Sequence, residues 1–160
     1  MHVLVPTDGS TYARLALLEA AELARSVRAS ISILVIASRL RMDGITPLAT
    51  FEFTEAQRAT ELVYESPSKA EVEKFLQEGA EICRAQGIEP TLIHRHGDPA
   101  EMIIEVAEQL RPDLIVMGSH GHTGIKRFLL GSVSEKVARH APCSVLLSRG
   151  EPFKIDQQKA

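Results

Sequence analysis

The pattern of apolar and polar positions predicts strands and helices in regular alternation along the chain. Strands are predicted where short, mostly apolar runs occur: 2–6, 30–37, 90–96, 113–118 and 143–149. The second run barely alternates, which is typical of a strand buried on both faces. Helices are predicted where apolar residues recur at helical spacing: 11–27, 68–87, 97–110 and 132–141. This order predicts a single-domain α/β fold, an open five-stranded parallel sheet with helices on both faces.

Several predicted helix ends carry sequence signals of their own. Ser68 and Glu71 fit a capping box, and Gly87 fits the other end of that helix. Asp98 fits an N-cap, with Pro99 at the first helical position after it. The apolar face of the first helix is expected to consist mainly of four residues: Leu15, Leu18, Leu23 and Val27.

Two stretches have no clear pattern, the connection 38–67 and the polar tail 150–160. A connection as long as the first is commonly functional or mobile, and the sequence does not decide between the two. The chain is therefore expected to form one domain over 1–149, followed by a loose C-terminal tail.

Composition narrows the class of protein. Of 160 residues, 44% are hydrophobic, which argues against a disordered chain, and the net charge of −3 predicts no affinity for nucleic acid or for an acidic membrane surface. No run approaches the roughly 20 apolar residues of a membrane span, and the start "MHVLVPTDGS" is unlike a signal peptide. The expected location is the cytoplasm, where Cys83 and Cys143 are expected to be thiols.

Residues that could bind a ligand follow three of the predicted strands, in the stretches "PTDGS" (6–10), "RHGDP" (95–99) and "GSHG" (118–121). Ligands of open parallel sheets bind beyond the carboxyl ends of the strands, so these stretches are expected to converge at one edge. Asp8 could bind a ribose hydroxyl, bind a metal through water, or cap the helix that begins near Ser10.

The start of the last predicted helix fits an anion. Its first amides have no partner inside the helix, and Gly131 would let a ligand approach the backbone closely. The hydroxyls of Ser132 and Ser134 could add donors. Alternatively, Ser132 and Glu135 form a capping box, which needs no ligand.

Several established motifs are absent from the sequence. There is no GxxxxGK[ST] and no GxSxG, and "GSHGHTG" does not spell GxGxxG, so a P-loop, a hydrolase elbow and a dinucleotide fingerprint are excluded. "SHGH" is similar to the His-x-Gly-His of nucleotidylyltransferases, but its spacing and position differ. The histidine pairs 94 and 96, and 120 and 122, have no third ligand at a recognised spacing, so a structural metal is not predicted.

Together, these residues resemble the universal stress protein family. Its ATP-binding members carry Gly-x2-Gly-x9-Gly-[Ser/Thr], which Gly118, Gly121, Gly131 and Ser132 match without a gap. "PTDGS", "GDP" and "VMGSHG" also look like the pattern of the family, and the resemblance spans residues 1–148 apart from the connection and the tail. It implies the doubly wound, adenine nucleotide alpha-hydrolase-like fold.

The resemblance also implies a set of nucleotide-binding residues: Pro6, Thr7 and Asp8 along the adenosine, Ile36 against the adenine, Gly97 near the base, Met117 and Gly118 on the adenosine, and Gly121, Gly131, Ser132 and Val133 at the phosphates. Ser134 joins this set as an expected hydroxyl donor at the start of the last helix. His120 stands where some members have arginine, which leaves ADP or AMP possible beside ATP. Lys126 and Arg127 could help to hold phosphates, although exposed cations in a loop are more often solvated.

The family resemblance finally implies a homodimer, formed by antiparallel pairing of the last strands through Val145, Leu146 and Leu147. A hydrophobic strand expected at a sheet edge fits this, since such edges are usually covered or paired. The expected function is that of an adenine-nucleotide-binding module in stress response or signalling, with little or no turnover. Two alternatives stay open: a slow ATPase with Asp8 on Mg²⁺ and Ser132 or Ser134 at the phosphates, and a nucleotide-free interaction protein.

Overall fold

Strands and helices alternate in the computed structural model, which describes residues 1–37, 66–119 and 130–149. The elements in these residues are β1 (His2–Pro6), α1 (Thr11–Val27), β2 (Ser30–Ala37), α2 (Lys69–Ala85), β3 (Thr91–His96), α3 (Pro99–Leu110), β4 (Leu114–Gly118), α4 (Ser132–His140) and β5 (Ser144–Ser148). Their kind and order confirm the predicted alternation, and their ends differ from the predicted ones by two residues at most. None of the described helices is long and apolar enough to cross a lipid bilayer.

The strands form one parallel sheet in the order β3-β2-β1-β4-β5, which confirms the predicted fold class. The chain builds outward from β1 to β2 and β3, and then crosses to the other side of β1 to add β4 and β5. The strand order therefore reverses between β1 and β4, where open α/β sheets form their crevice. The last strand lies at an edge, as expected.

Each face of the sheet is covered by its own pair of helices. Val3 and Val5 of β1 point into a core that includes α1 and α2, whereas Leu4 points into a core that includes α3 and α4. The central strand β2 is buried from Ile31 to Ala37, which confirms that both of its faces are covered. Alternate residues of one strand thus belong to different cores.

The apolar face expected for α1 is wrong. Leu18 and Val27 are 39% and 48% exposed, and the buried face consists of Ala13, Ala16, Leu17, Ala20, Ala21 and Ala24. Close packing explains the difference, because a Cβ at Gly118 of β4 would lie 2.9 Å from the backbone carbonyl carbon of Tyr12. Small side chains suit a helix and a sheet that approach so closely, so the buried face of α1 consists of five alanines and Leu17.

The predicted signals at the ends of α2 and α3 are confirmed. Ser68 and Glu71 form a reciprocal capping box, and Asp98 accepts a hydrogen bond from the amide of Glu101, 3.0 Å away. After α2, Gly87 has a φ of +76° and donates to the carbonyl of Arg84, while Ile88 donates to the carbonyl of Cys83; the two bonds form a Schellman motif.

The two cysteines lie in different cores. Cys83 of α2 is fully buried with α1, and Cys143 packs against the core of α3 and α4 on the other side of the sheet. Both are free thiols, and burial raises the pKa of Cys83 to about 11. A thiol in such surroundings is a weak nucleophile at neutral pH.

Candidate functional site

The residues expected to form a site meet at the carboxyl edge of the sheet. Pro6 ends β1, Ile36 lies next to the last residue of β2, and Gly118 ends β4. Gly97 follows β3 directly, and Gly131 lies immediately before α4. The parallel sheet brings these positions to the same edge, on both sides of the place where the strand order reverses.

The turn after β1 is held by its own side chains. The amide of Thr7 donates to the carbonyl of Leu34, 2.9 Å away, which continues the pairing of β1 with β2. A carboxylate oxygen of Asp8 accepts from the amide of Ser10 at 2.9 Å, and the Ser10 hydroxyl accepts from the amide of Ala13 at 3.2 Å. Ser10 is the N-cap of α1, so the alternative that Asp8 caps this helix is wrong. Asp8 instead stabilises the turn and remains half-buried beside the crevice.

The same turn requires a glycine that sequence reasoning did not single out. Gly9 has a φ of +76°, a conformation that favours glycine. A Cβ built at this position would clash with the ring of Phe75, which belongs to α2. The ring of Phe75 thus packs directly on the backbone that leads from β1 to α1.

An apolar surface lies beside the crevice on the face of α3 and α4. Ile36 and Met117 are each 6% exposed and belong to one core with Leu4, Ile103 and Val137. Ile36 comes from β2 and Met117 from β4, on either side of β1. The two side chains expected to contact adenosine are therefore on the same face, near the ends of their strands.

The turn after β3 also depends on a close approach. Gly97 has a φ of +152°, and a Cβ there would lie 2.9 Å from the side chain of Met102.

Ion pairs lie beside this turn, at the start of α3. Nζ of Lys136, in α4, lies 3.5 Å from a carboxylate oxygen of Asp98 and 3.1 Å from one of Glu101. The hydrogen bond to Glu101 raises the pKa of Lys136. These ion pairs link α4 to the beginning of α3, a connection that the sequence did not predict.

Hydrogen bonds join the end of β4 to the start of α4. The amide of Ser119 donates to the carbonyl of Ser148 at 2.8 Å, and the carbonyl of Ser119 accepts from the amide of Gly131 at 2.9 Å. The buried hydroxyl of Ser134 lies 3.0 Å from this carbonyl and 2.9 Å from that of Gly131. The single hydroxyl proton of Ser134 is used by the main chain in this arrangement.

The start of α4 differs from the starts of the other three described helices. Side chains of Ser10, Ser68 and Asp98 cap α1, α2 and α3, whereas Gly131 at the N-cap of α4 has no side chain with which to do so. Ser132 is the first helical residue, so the alternative of a capping box with Glu135 is wrong. The positive end of this helix opens at the carboxyl edge of the sheet.

Some expected site residues lie outside the described residues. They are His120, Gly121, Lys126 and Arg127. Residues 38–65 of the long connection and the tail 150–160 also lie outside the described residues. In the ranges that the structure covers, no cluster of three or more His, Cys, Asp or Glu side chains could hold a metal ion.

Comparison with known proteins identifies close sequence relatives. A sequence model of the universal stress protein family matches residues 1–149. Universal stress protein YxiE of Bacillus subtilis is 33% identical over 147 residues, which is 92% of this chain and 97% of that protein. Universal stress protein MJ0531 of Methanocaldococcus jannaschii is 32% identical over 145 residues, which is 91% of this chain and 79% of that protein.

Solved structures with a similar fold are also universal stress proteins. Universal stress protein UspA from Lactobacillus plantarum matches with a TM-score of 0.70 at 26% identity, over 93% of this chain and 97% of that one. A universal stress protein solved in complex with cAMP matches with a TM-score of 0.68 at 25% identity, over 94% of this chain and 98% of that one. The expected family is confirmed by sequence and by fold, and this chain belongs to the universal stress protein family.

Proposed function

We propose that this universal stress protein binds an adenine nucleotide, ATP, ADP or AMP, in the crevice between the carboxyl ends of β1 and β4. The observation that carries the proposal is the start of α4, which has a glycine at its N-cap and is joined by hydrogen bonds to the end of β4. A helix start of this kind attracts an anion through its free amides and its dipole. The related protein solved with cAMP supports an adenine nucleotide as the ligand.

The base and the ribose would lie against the residues that end β1, β2 and β4. Ile36 and Met117 offer apolar surface to one face of the adenine, and Gly97, whose backbone lies against Met102, would lie near the base. Thr7 and Asp8 follow β1 and would lie along the ribose. Asp8 is also the residue that we assign to a Mg²⁺ ion carried with the nucleotide.

The phosphates would be held mainly by backbone amides. The amide of Gly131 already donates to Ser119, so the amides of Ser132 and Val133, in the first turn of α4, are the expected donors. The missing side chain of Gly131 lets the phosphates approach them. The hydroxyl of Ser132 is exposed and can turn toward the ligand, whereas the hydroxyl of Ser134 contributes by holding the turn in shape.

We further propose that the protein is a homodimer that responds to the nucleotide with little or no turnover. The outer edge of β5 is free of strand pairing in the described chain, and Leu146 in its centre is 42% exposed. A second copy that pairs with this edge would cover it.

Low turnover is supported by the position of Asp8. One carboxylate oxygen of Asp8 is held by the Ser10 amide in a turn, which favours a positioning role for this carboxylate over one in proton transfer.

The direct test is to denature the purified protein and to identify any released nucleotide by chromatography and mass spectrometry. Protein stripped of nucleotide is then titrated with ATP, ADP and AMP in a calorimeter, with GTP as the control for the base. We expect at least one adenine nucleotide to bind and GTP to bind more weakly. If nothing is released and all three adenine nucleotides fail to bind, the proposed function is wrong.

A further inference from the structure

Two imidazole rings lie side by side on the edge strand β3. His94 and His96 are two residues apart in this strand and therefore project from the same face. Their ring centroids are 4.4 Å apart, with the ring planes inclined by 56°. Their neighbours in β2 are Val35 and Ala37, so the strand beside them offers no charged side chain.

One of these rings has a buried polar atom without a partner. Nε2 of His94 is shielded from solvent and has no hydrogen-bond partner among the described residues. On this face, Val35 and Ala37 form an apolar cluster with Val72 of α2, and such side chains cannot satisfy a ring nitrogen. Buried polar atoms in folded proteins nearly always have a partner, so this nitrogen is available to a ligand that the described side chains do not supply.

The pair is separate from the nucleotide crevice. Val35, the neighbour of His94, points to the face covered by α2, whereas Ile36 points to the face of α3 and α4. Arg95 lies between the two histidines in sequence and projects from the opposite face of β3, with its guanidinium 2.9 Å from the carbonyl of His94. A ligand of the two imidazoles would therefore lie on the other side of the sheet from the proposed nucleotide.

We propose that His94 and His96 together bind one divalent transition-metal ion of the kind that imidazole prefers, such as Zn²⁺. Two imidazole nitrogens on one Zn²⁺ ion are each about 2.0–2.1 Å from the metal, and hence about 3–4 Å from each other. The ring centroids are 4.4 Å apart, so rotation about the side-chain bonds would be needed to bring the two nitrogens to that separation. No third His, Cys, Asp or Glu completes a cluster in the described ranges, so these two imidazoles would be the protein ligands, and water would complete the coordination on the exposed side, at His96.

The test is a Zn²⁺ titration of the full chain after removal of metal with a chelator. Binding is measured by calorimetry, and the ring nitrogens of each histidine are followed by ¹⁵N NMR, which separates this pair from the histidines elsewhere. We expect the ring signals of His94 and His96 to change together along one binding curve. His94→Gln and His96→Gln should each weaken Zn²⁺ binding at this site at least about tenfold, since each removes one of two ligands. His140→Gln, at an exposed position in α4, is the matched control and should leave this binding curve unchanged.

His96→Gln protects the test against a folding defect, because His96 is exposed while His94 is partly buried. Circular dichroism of each variant confirms that the fold is retained. The proposal is overturned if the two ring signals do not move with Zn²⁺, if only one of them moves, or if the folded His96→Gln variant binds as tightly as the wild type. Nucleotide binding is measured separately, and neither result depends on the other.

Discussion

The hydroxyl of Ser134 donates to the main-chain carbonyl of Ser119, 3.0 Å away and fifteen residues earlier in the chain. The amide of Gly131 donates to the same oxygen at 2.9 Å. Ser119 directly follows β4 and Ser134 lies in the first turn of α4, so these bonds fix the start of the helix against the end of the strand. The proposed phosphate site therefore rests on a side chain that would not itself hold the phosphate.

Replacement of Ser134 by alanine should lower the free energy of unfolding. The buried carbonyl of Ser119 keeps its bond from Gly131 but loses the hydroxyl, which predicts a loss of about 1 kcal/mol. Urea unfolding followed by circular dichroism measures it. Ser132→Ala is the control at an exposed position two residues earlier, and its stability should stay within about 0.5 kcal/mol of the wild type. Equal stabilities of the two variants would show that the Ser134 bond contributes nothing.

Substitution of Gly131 by valine should abolish nucleotide binding and leave the fold intact. Gly131 has a φ of −64° and a ψ of 150°, an extended conformation that valine adopts without strain. The branched side chain would occupy the space through which the phosphates approach α4. Calorimetry with ATP, ADP and AMP measures binding. The control is Ser30→Val, at an exposed position that begins β2, at the amino-terminal end of the strands and away from the proposed site. Unchanged affinity in folded Gly131→Val would contradict the proposed phosphate site.

Local signals made the sheet and most helix ends predictable. Most strands are short apolar runs, and the capping residues Ser68 and Asp98 act within three residues of the amides that they bind. Such features depend on neighbours in the sequence, so one chain reveals them. The residues at the ends of β1 and β4 were also predictable, because parallel strands bring their carboxyl ends to one edge.

Features that depend on distances between elements could not be predicted. The alanine face of α1 follows from how closely the helix approaches Gly118, and apolar periodicity favoured the larger leucines instead. The contact of Phe75 with Gly9 joins elements more than sixty residues apart in the sequence, as the bond of Ser134 to Ser119 joins a helix to a strand end. No local pattern encodes these pairs, since each arises only once the sheet has set the positions of the elements.

Stability should depend on pH through His94. Burial, and then the nearby charges of His96 and Arg95, lower the pKa of His94 from its usual 6.5. Below that pH the unfolded chain binds a proton that the folded chain binds less readily, so the free energy of unfolding is highest above pH 6.5 and falls as the pH drops. Urea midpoints between pH 5 and 8, in chelator to exclude metal, measure this. His94→Gln should flatten the dependence more than His140→Gln, and equal slopes would contradict the assignment.

A charge at Leu146 should separate the proposed dimer. Leu146 lies in the middle of β5 and is 42% exposed, and a lysine there would place a charge in the interface between paired edge strands. Light scattering should give twice the chain mass for the wild type and a shift toward the single mass for Leu146→Lys. Leu110→Lys is the control, since Leu110 is 39% exposed but lies at the end of α3. A wild type that is monomeric at micromolar concentration would contradict the dimer.

Alanine at Gly9 should destabilise the fold more than alanine at Gly87, although both glycines have a φ of +76°. At Gly87 a Cβ meets nothing within 4 Å, so the substitution costs only the left-handed conformation, about 1–2 kcal/mol. At Gly9 the Cβ would also clash with the half-buried ring of Phe75, and displacing that ring adds to the cost. Urea unfolding of both variants measures the difference. Phe75→Leu removes the ring, and the double variant Gly9→Ala/Phe75→Leu should be less destabilised than the sum of the two single changes. If Gly9→Ala and Gly87→Ala cost the same, the ring of Phe75 does not constrain the turn that carries Asp8.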